Sequence, residues 1–267
     1  MRIRNISGRE IGKNESTLYS NANHWKVIQD KHAVVQTTNR GSPLPAKAGR
    51  TFFKYTRVFD GGVSNSKVYD SVCQNAVQSF LQGINSSIIA FGQTGSGKTF
   101  TMHGGQTAIT NEIQDGIIQM AGLDIFDHLR NLPQNEYTVR LSMFEIYNHE
   151  IHDLLTNTIV SSRQDPRSKL LLDVSEQIVT DFSSFIDLID LGNERRITRK
   201  THLNNNSSRS HVICSLSLEF MGSARSSLSP FESNLYMVDL AGSDSSLRNK
   251  KKVDGQQQNE ANYINKR

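Results

Sequence analysis

Cysteine is almost missing from this chain: Cys73 and Cys214 are its only two among 267 residues. A disulfide framework is thereby excluded, and both thiols sit in ordinary apolar patterns that predict burial as small hydrophobes in a reducing compartment. Nowhere does an apolar run reach the length of a bilayer span, and the opening MRIRNISGRE lacks the apolar core of a signal peptide. Charge of one sign is also scarce. The net charge of +4 is too mild to point to nucleic acid by itself. Basic residues do cluster locally, at Arg195, Arg196, Arg199 and Lys200 and again at Lys250, Lys251 and Lys252. The commoner meaning of such clusters is a solvated face, the sharper one contact with an acidic partner.

No repeat or low-complexity block interrupts the chain, whose length suits one large domain or a piece of one. Strand-like and helix-like patterns alternate, which argues for an α/β fold. Ser66 is placed to cap a helix with Val68, Val72, Ala76 and Phe80 on one stripe, Tyr69, Cys73, Val77 and Leu81 beside it, and Gly83 at its C-terminal cap. A strand over Ile88 to Phe91, a helix opening near Lys98, and a helix over Gly116 to Leu129 with Ile118, Ile125 and Leu129 on one stripe follow. Tyr137, Val139, Leu141 and Met143 alternate as a strand continuing through Ile146. Thr180 or Asp181 starts a helix with Phe182, Phe185, Ile186 and Ile189 inward, ended by Gly192. Val212 to Phe220 is a strand of clean period two, Ser223 to Ser233 a polar connection, and Leu235 to Val238 a buried strand delivering Asp239. Asn5 to Gly49, polar and turn-rich around Pro43 and Pro45, yields no secure element.

The richest stretch is Ile88-Ile89-Ala90-Phe91 running into Gly92-Gln93-Thr94-Gly95-Ser96-Gly97-Lys98-Thr99, a full match to G-x-x-x-x-G-K-[ST]. The glycines let successive N–H groups curl inward around phosphates, Lys98 reaches the β/γ oxygens, and Thr99 offers its hydroxyl to Mg²⁺. Four specified positions arise by chance in a chain this long with a probability of about one per cent. A Gly/Ser-rich turn carrying a stray lysine is the bland alternative. Phosphoryl transfer also needs a second carboxylate beside the metal and a sensor for the γ-phosphate. Leu235 to Gly242 supplies an apolar strand, then Asp239 and a D-x-x-G turn, a weak signal alone and a strong one beside the phosphate loop. A third element, Asn204-Asn205-Asn206-Ser207-Ser208-Arg209-Ser210-His211, brings hydroxyls and an arginine suited to metal and water; by composition it also reads as an exposed loop.

In this order and spacing, GQTGSGKT, NNNSSRSH and VDLAGSD resemble the catalytic core of a kinesin motor domain. FGQTGSGKTFTMHG, MFEIYNHEIHDLL and NYINKR are similar too, so the resemblance covers nearly the whole chain; SSLRNKKK and NYINKR are similar to the centromere-associated branch of the family. The resemblance implies a P-loop NTPase of kinesin motor type, a central, mostly parallel β-sheet with helices on both faces, incomplete at the C-terminus. It implies ATP and Mg²⁺ as cofactors, a Mg-dependent ATPase that drives microtubule-based movement, and microtubules (tubulin) as partner. A cytoplasmic, cytoskeletal location goes with it, with no nucleic acid or membrane, and dimerisation only through segments outside this sequence.

Carried over residue by residue, the resemblance puts Gly92, Gln93, Thr94, Gly95, Ser96, Gly97, Lys98, Thr99 and Phe100 around the nucleotide. NNNSSRSH is similar to switch I, with Ser207 and Ser208 handling the metal and the attacking water and Arg209 reaching toward switch II. DLAGSD is similar to switch II, with Asp239 near the metal, Gly242 on the γ-phosphate and Asp244 as partner of Arg209. Arg2 and Tyr69 fall where the family frames the adenine. Metal ligation accordingly rests on Thr99, Ser208 and Asp239.

Departures from the family pattern bear on function. Asp244 stands where the family has a glutamate, one methylene longer. The adenine motif R-x-R-P reads Arg2-Ile3-Arg4-Asn5 against Met1, so residues 1–267 are expected to form one partial motor domain with a clipped first strand. A hairpin expected between Leu172 and Ser175 is skipped, NKKKVDGQQQNE replaces a Gly-rich stretch, and by the resemblance the main microtubule-binding helix and neck are expected beyond Arg267. The rival to a motor ATPase is therefore a kinesin-like binding module that holds nucleotide without efficient hydrolysis or movement. A GTPase fits less well, since Asn249-Lys250-Lys251-Lys252 fails N-K-x-D at its last position. His149-Glu150-Ile151-His152 fails the zinc motif H-E-x-x-H by one residue.

Overall fold

Residues 24–28, 33–37, 52–60, 62–107, 112–164, 170–202, 209–222 and 229–243 are described by a computed structural model. They fall into two units, Met1–Val68 with Gln106–Gln114, and Tyr69–Gly105 with Asp115–Arg267. In the first, β1 (His24–Ile28), β2 (Ala33–Thr37) and β3 (Phe52–Lys54) pair antiparallel in that order, Val27 opposite Val34 and Val35 opposite Phe52. The helical turn Asn65–Val68 is capped by Ser64, whose Oγ accepts the Lys67 N–H at 3.2 Å, so the cap lies two residues before the expected Ser66.

The second unit opens with a π turn, Tyr69–Cys73, leading into α1 (Gln74–Leu81). The wider turn shifts the buried stripe to Tyr69, Cys73, Val77, Phe80 and Leu81 and leaves Val72 43% exposed, where regular winding from Val68 predicts it inward. Gly83, at φ +87°, ends the helix as expected: its N–H donates to the Phe80 carbonyl and that of Ile84 to Ser79.

Seven strands form the central sheet: β4 (Ser86–Ala90), β5 (Tyr137–Tyr147), β6 (Glu150–Asp153), β7 (Thr158–Val160), β8 (Gln177–Val179), β9 (His211–Phe220) and β10 (Phe231–Asp239). Their order is β4-β10-β9-β5-β6-β7, with β8 also on β5. Only β4 and β10 run parallel; every other pairing within this sheet is antiparallel. The sheet is thus mixed, which corrects the expectation of a mostly parallel one. Connections decide it. β5 turns straight into β6 through Asn148 and His149, at φ 47° and 70°, and residues 221–230 return β9 into β10. Links that short can join only antiparallel neighbours.

Helices α2 (Lys98–His103), α3 (Ile117–Leu129) and α4 (Phe182–His202) complete the unit. α1, α2 and α4 each pack on α3, so all four share one sheet face, over the buried side chains of Leu141, Met143, Cys214, Leu216, Leu235 and Met237. Helices were expected on both faces; among the described residues they cover this one, and Ile89 and Phe91 on the other are 58% and 75% exposed. Asp181 caps α4, its Oδ1 accepting the Ser184 N–H at 2.8 Å while Ser184 Oγ accepts the Asp181 N–H at 3.3 Å. Gly192 does not end that helix. A Cβ there would lie 2.4 Å from Met143 Sδ, so the glycine lets α4 press onto β5 and continue to His202. Both cysteines are buried and free, as expected, and burial pushes the Cys73 thiol up to about 11 and that of Cys214 up to about 12.

Candidate functional site

β4 stops at Ala90, and the chain then curls through Gly92, Gly95 and Gly97 at φ +155°, +76° and +92°. A Cβ on Gly92 would lie 2.7 Å from Ser96 Oγ, and its φ is one that residues with side chains rarely adopt. The Ser96 N–H donates to the Gln93 carbonyl at 3.2 Å, and Gly97 caps α2 in left-handed geometry. Lys98, the first residue of α2, folds its ammonium back over the curl, donating to the carbonyls of Gly92 at 2.9 Å and Gln93 at 3.0 Å. Gln93, Thr94 and Gly95 form the exposed crest, while Ser96, Gly97, Lys98 and Phe100 are half-buried.

Thr99 and Asp239, 140 residues apart, meet: Thr99 Oγ1 donates to Asp239 Oδ2 at 2.7 Å. The parallel pairing that sets Asp239 opposite Ala90 causes this meeting, because it ends both strands at the same level. Asp239 is 2% exposed, and its Oδ1 has no hydrogen-bond partner among the described residues. A buried carboxylate oxygen left bare is costly unless a cation or water claims it. The segment after Asp239 is tied down from both sides. Leu240 N–H donates to Ala90 O at 3.3 Å and Ser243 N–H to Gly92 O at 3.1 Å, which fixes Gly242 beside the loop. Ala241 N–H donates to His211 Nδ1 at 3.1 Å. The bond requires an unprotonated Nδ1, and gives His211 a placing role that the sequence motif did not single out.

Arg196, Glu145 and Arg199 extend the site. Arg196 of α4 is 3% exposed; its Nη2 lies 3.3 Å from Asp239 Oδ2 and its Nε 3.8 Å from Glu145 Oε1. Arg199 Nε lies 3.9 Å from Glu145 Oε2, and Arg195 Nη1 donates to the carbonyls of Leu154 and Leu155. The basic cluster on α4 is therefore neither a solvated face nor a docking patch at these three positions: it turns inward to buried acceptors. A signal for this existed. Phe185, Ile189, Gly192 and Arg196 share one helical stripe, and Glu145 continues the inward alternation of Val139, Leu141 and Met143. Charges on core-facing positions mark a buried pair.

Other expected site residues have different surroundings or lie elsewhere. Tyr69 is buried, its hydroxyl donating to Asp124 Oδ2 at 2.7 Å, an arrangement that ties the π turn to α3 and offers little ring surface to a base. Burial first, then that bond and the Asp124 charge, raise its pKa well above the ordinary tyrosine value. Arg209 and the buried Ser210 lead directly into β9. Arg2, Ser207, Ser208, Asp244 and Lys250 to Lys252 lie outside the described residues, as do the segments similar to the centromere-associated branch. No group of three His, Cys, Asp or Glu fit to hold a metal occurs among the described residues, and no described helix is long and apolar enough to cross a membrane.

A family model described as kinesin motor domain matches residues 2–267. The kinesin-like protein KIN-7L, chloroplastic, of Arabidopsis thaliana is 33% identical over 270 residues, covering 100% of this chain and 25% of that protein. Chromosome-associated kinesin KIF4 of Xenopus laevis is 35% identical over 222 residues, covering 80% of this chain and 18% of its own length. The chain thus spans about a quarter or less of these relatives. A solved structure described as that of a fast kinesin, with implications for ATPase mechanism and interactions with microtubules, is similar at a TM-score of 0.78 and 25% identity, over 97% of this chain and 69% of that one. With a match from residue 2 to residue 267 and the fold in agreement, this chain belongs to the kinesin motor domain family.

Proposed function

We propose that the chain binds Mg·ATP on the Gly92–Thr99 loop and hydrolyses it as the motor domain of a microtubule-based motor, acting over residues 1–267 as one domain. The observation that carries this is the 2.7 Å contact of Thr99 with Asp239 beside a loop already curled for phosphates. Hard oxygen donors, one of them buried and bare, suit Mg²⁺, which when bound neutralises charge building on the β/γ oxygens. Thr99 and Asp239 would hold it, with Ser208 added by family likeness.

Lys98 carries the loop's ammonium from its own carbonyls to the phosphate oxygens, a charge-assisted contact. Gly242 presents its N–H from a segment anchored on Gly92. Arg196 orients Asp239 from 3.3 Å. Arg209 and Asp244 close the switch loops, and because Asp is shorter than Glu by one C–C bond, about 1.5 Å, closure is less complete. A misplacement near 1 Å in a positioning contact costs on the order of a hundredfold in rate, so turnover is low while binding is kept. Microtubule contact falls to basic residues other than Arg195, Arg196 and Arg199, Lys250 to Lys252 among them, and weakens with salt.

Titration with a fluorescent ATP analogue, with and without a Mg²⁺ chelator, tests the core of this reading. Wild type binds only with Mg²⁺ and Lys98→Ala loses binding; equal affinity of the two proteins refutes it. Phosphate release with microtubules, compared with Asp244→Glu, separates a slow motor from a module that binds without turnover.

A further inference from the structure

One row of residues crosses the whole sheet. Ile159, His152, Glu145, Val212, Asp239 and Ala90 stand opposite one another on β7, β6, β5, β9, β10 and β4. Residues directly opposite share a face, so the row runs from the outer sheet edge to the phosphate loop on the face that the helices cover. Three ionisable side chains are buried along it: His152, Glu145 and Asp239. α4 lays Arg196 between Glu145 and Asp239 and adds Arg199 to Glu145. His152 is the next member outward from Glu145. Its Nε2 lies 3.0 Å from Oε2 of the exposed Glu150, and its buried Nδ1 has no hydrogen-bond partner among the described residues. The charged groups facing the ring are Glu150 on its own strand, Glu145 on β5 and Arg199 on α4; from β7 it meets the uncharged Ile159.

We propose that His152 is a positioning residue for Asp239, its charge state setting how Glu145 is shared between the imidazole and Arg196, and so how strongly Arg196 holds Asp239. The proposal rests on the reading that Asp239 serves Mg·nucleotide. Burial first, and Arg199 second, lower the His152 pKa against the raising pull of Glu150 and Glu145, so the ring is neutral at pH 7. In that state Glu145 faces only the two arginines. Acid puts an imidazolium beside Glu145, draws the carboxylate outward, and leaves Arg196 to turn its full charge on Asp239. An Asp239 so held yields less readily to a cation. Mg·nucleotide affinity therefore falls with acid, and by linkage bound Mg·nucleotide lowers the His152 pKa further.

Two readouts on the full chain test this. Affinity for fluorescent Mg·ADP is measured from about pH 8 to about pH 5, through and below the lowered histidine range, for wild type and His152→Gln, which keeps a polar group near Glu150 without titrating. The imidazole of His152 is followed by NMR with and without Mg·ADP and in Glu145→Gln. Wild type should lose roughly threefold to tenfold more affinity on acidification than His152→Gln, the range that half to one pKa unit on one group supplies. The His152 midpoint should fall on adding Mg·ADP and lose that response in Glu145→Gln. Parallel pH curves for the two proteins, or a midpoint indifferent to Mg·ADP, overturn the inference alone. Absence of nucleotide binding by wild type at every pH overturns the proposed function and the inference with it.

Discussion

Arg196 sits between two buried carboxylates, which makes Arg196→Met the sharpest structural test. Methionine keeps about the length and apolar body of the arginine stem and deletes the guanidinium. Glu145 would retain Arg199 at 3.9 Å and Asp239 the Thr99 hydroxyl at 2.7 Å, so each anion keeps one partner and loses one. Removing one member of a buried ion pair costs about 3–5 kcal/mol because the other charge stays behind undercompensated. Both ion pairs that the substitution breaks are long, 3.3 and 3.8 Å, which places the cost at the lower end, about 3 kcal/mol. For a domain of this size that corresponds to a fall in Tm of roughly 6–12 °C. In Arg196→Met/Glu145→Met one of the two stranded carboxylates is gone and apolar side chains fill its place, while Asp239 stays and Arg199 loses Glu145, so part of the loss should return. Thermal unfolding followed by circular dichroism at neutral pH, at low and high salt, reads this out; a buried pair changes little with salt. A single variant within about 0.5 kcal/mol of wild type, the range of ordinary surface substitutions, would refute the reasoning. So would a double variant no more stable than the single one.

Gly122→Ala should destabilise by about 1–3 kcal/mol, because the new Cβ would lie 2.2 Å from Phe185 Cε1, and Phe185→Leu should recover part of that loss; urea denaturation of the single and double variants measures it. Neither cysteine should react with a thiol reagent in the folded protein at pH 8: with the Cys73 thiol at about 11, roughly one molecule in a thousand carries a thiolate there, and labelling should start only with unfolding. Burial raises the Asp153 carboxyl, but N–H donors from Ser175, Thr156 and Leu155 outweigh it and hold the pKa below the ordinary carboxylate value. Its stabilisation is then fully present above about pH 4 and lost as pH falls through the lowered value, so Asp153→Asn should flatten the acid limb of the stability curve. An unchanged acid limb would refute that role.

Local chemistry made the phosphate loop, the strand delivering Asp239, the alternation of β9, the Asp181 cap and the Gly83 stop legible in the sequence. Each depends on residues a few positions apart, where spacing and backbone preference act directly. Other features were decided elsewhere. Gly192 reads as a helix stop by propensity, yet packing against Met143 makes it the point of closest approach between α4 and β5. Ser66 fits a cap by type, but the turn begins at Asn65 and Ser64 takes the role. Arg195, Arg196 and Arg199 look like a solvated run until β5 and β10 bring Glu145 and Asp239 beneath them. The mixed sheet, the meeting of Thr99 with Asp239 and the row from His152 to Ala90 all depend on which strands become neighbours. Side-chain type and spacing determined that this chain carries a phosphate loop and a switch-like aspartate. Local pattern marks Arg196 and Glu145 as core-facing, but tertiary structure alone decided which charges meet at that site, because pairing across residues distant in sequence is set by burial and register.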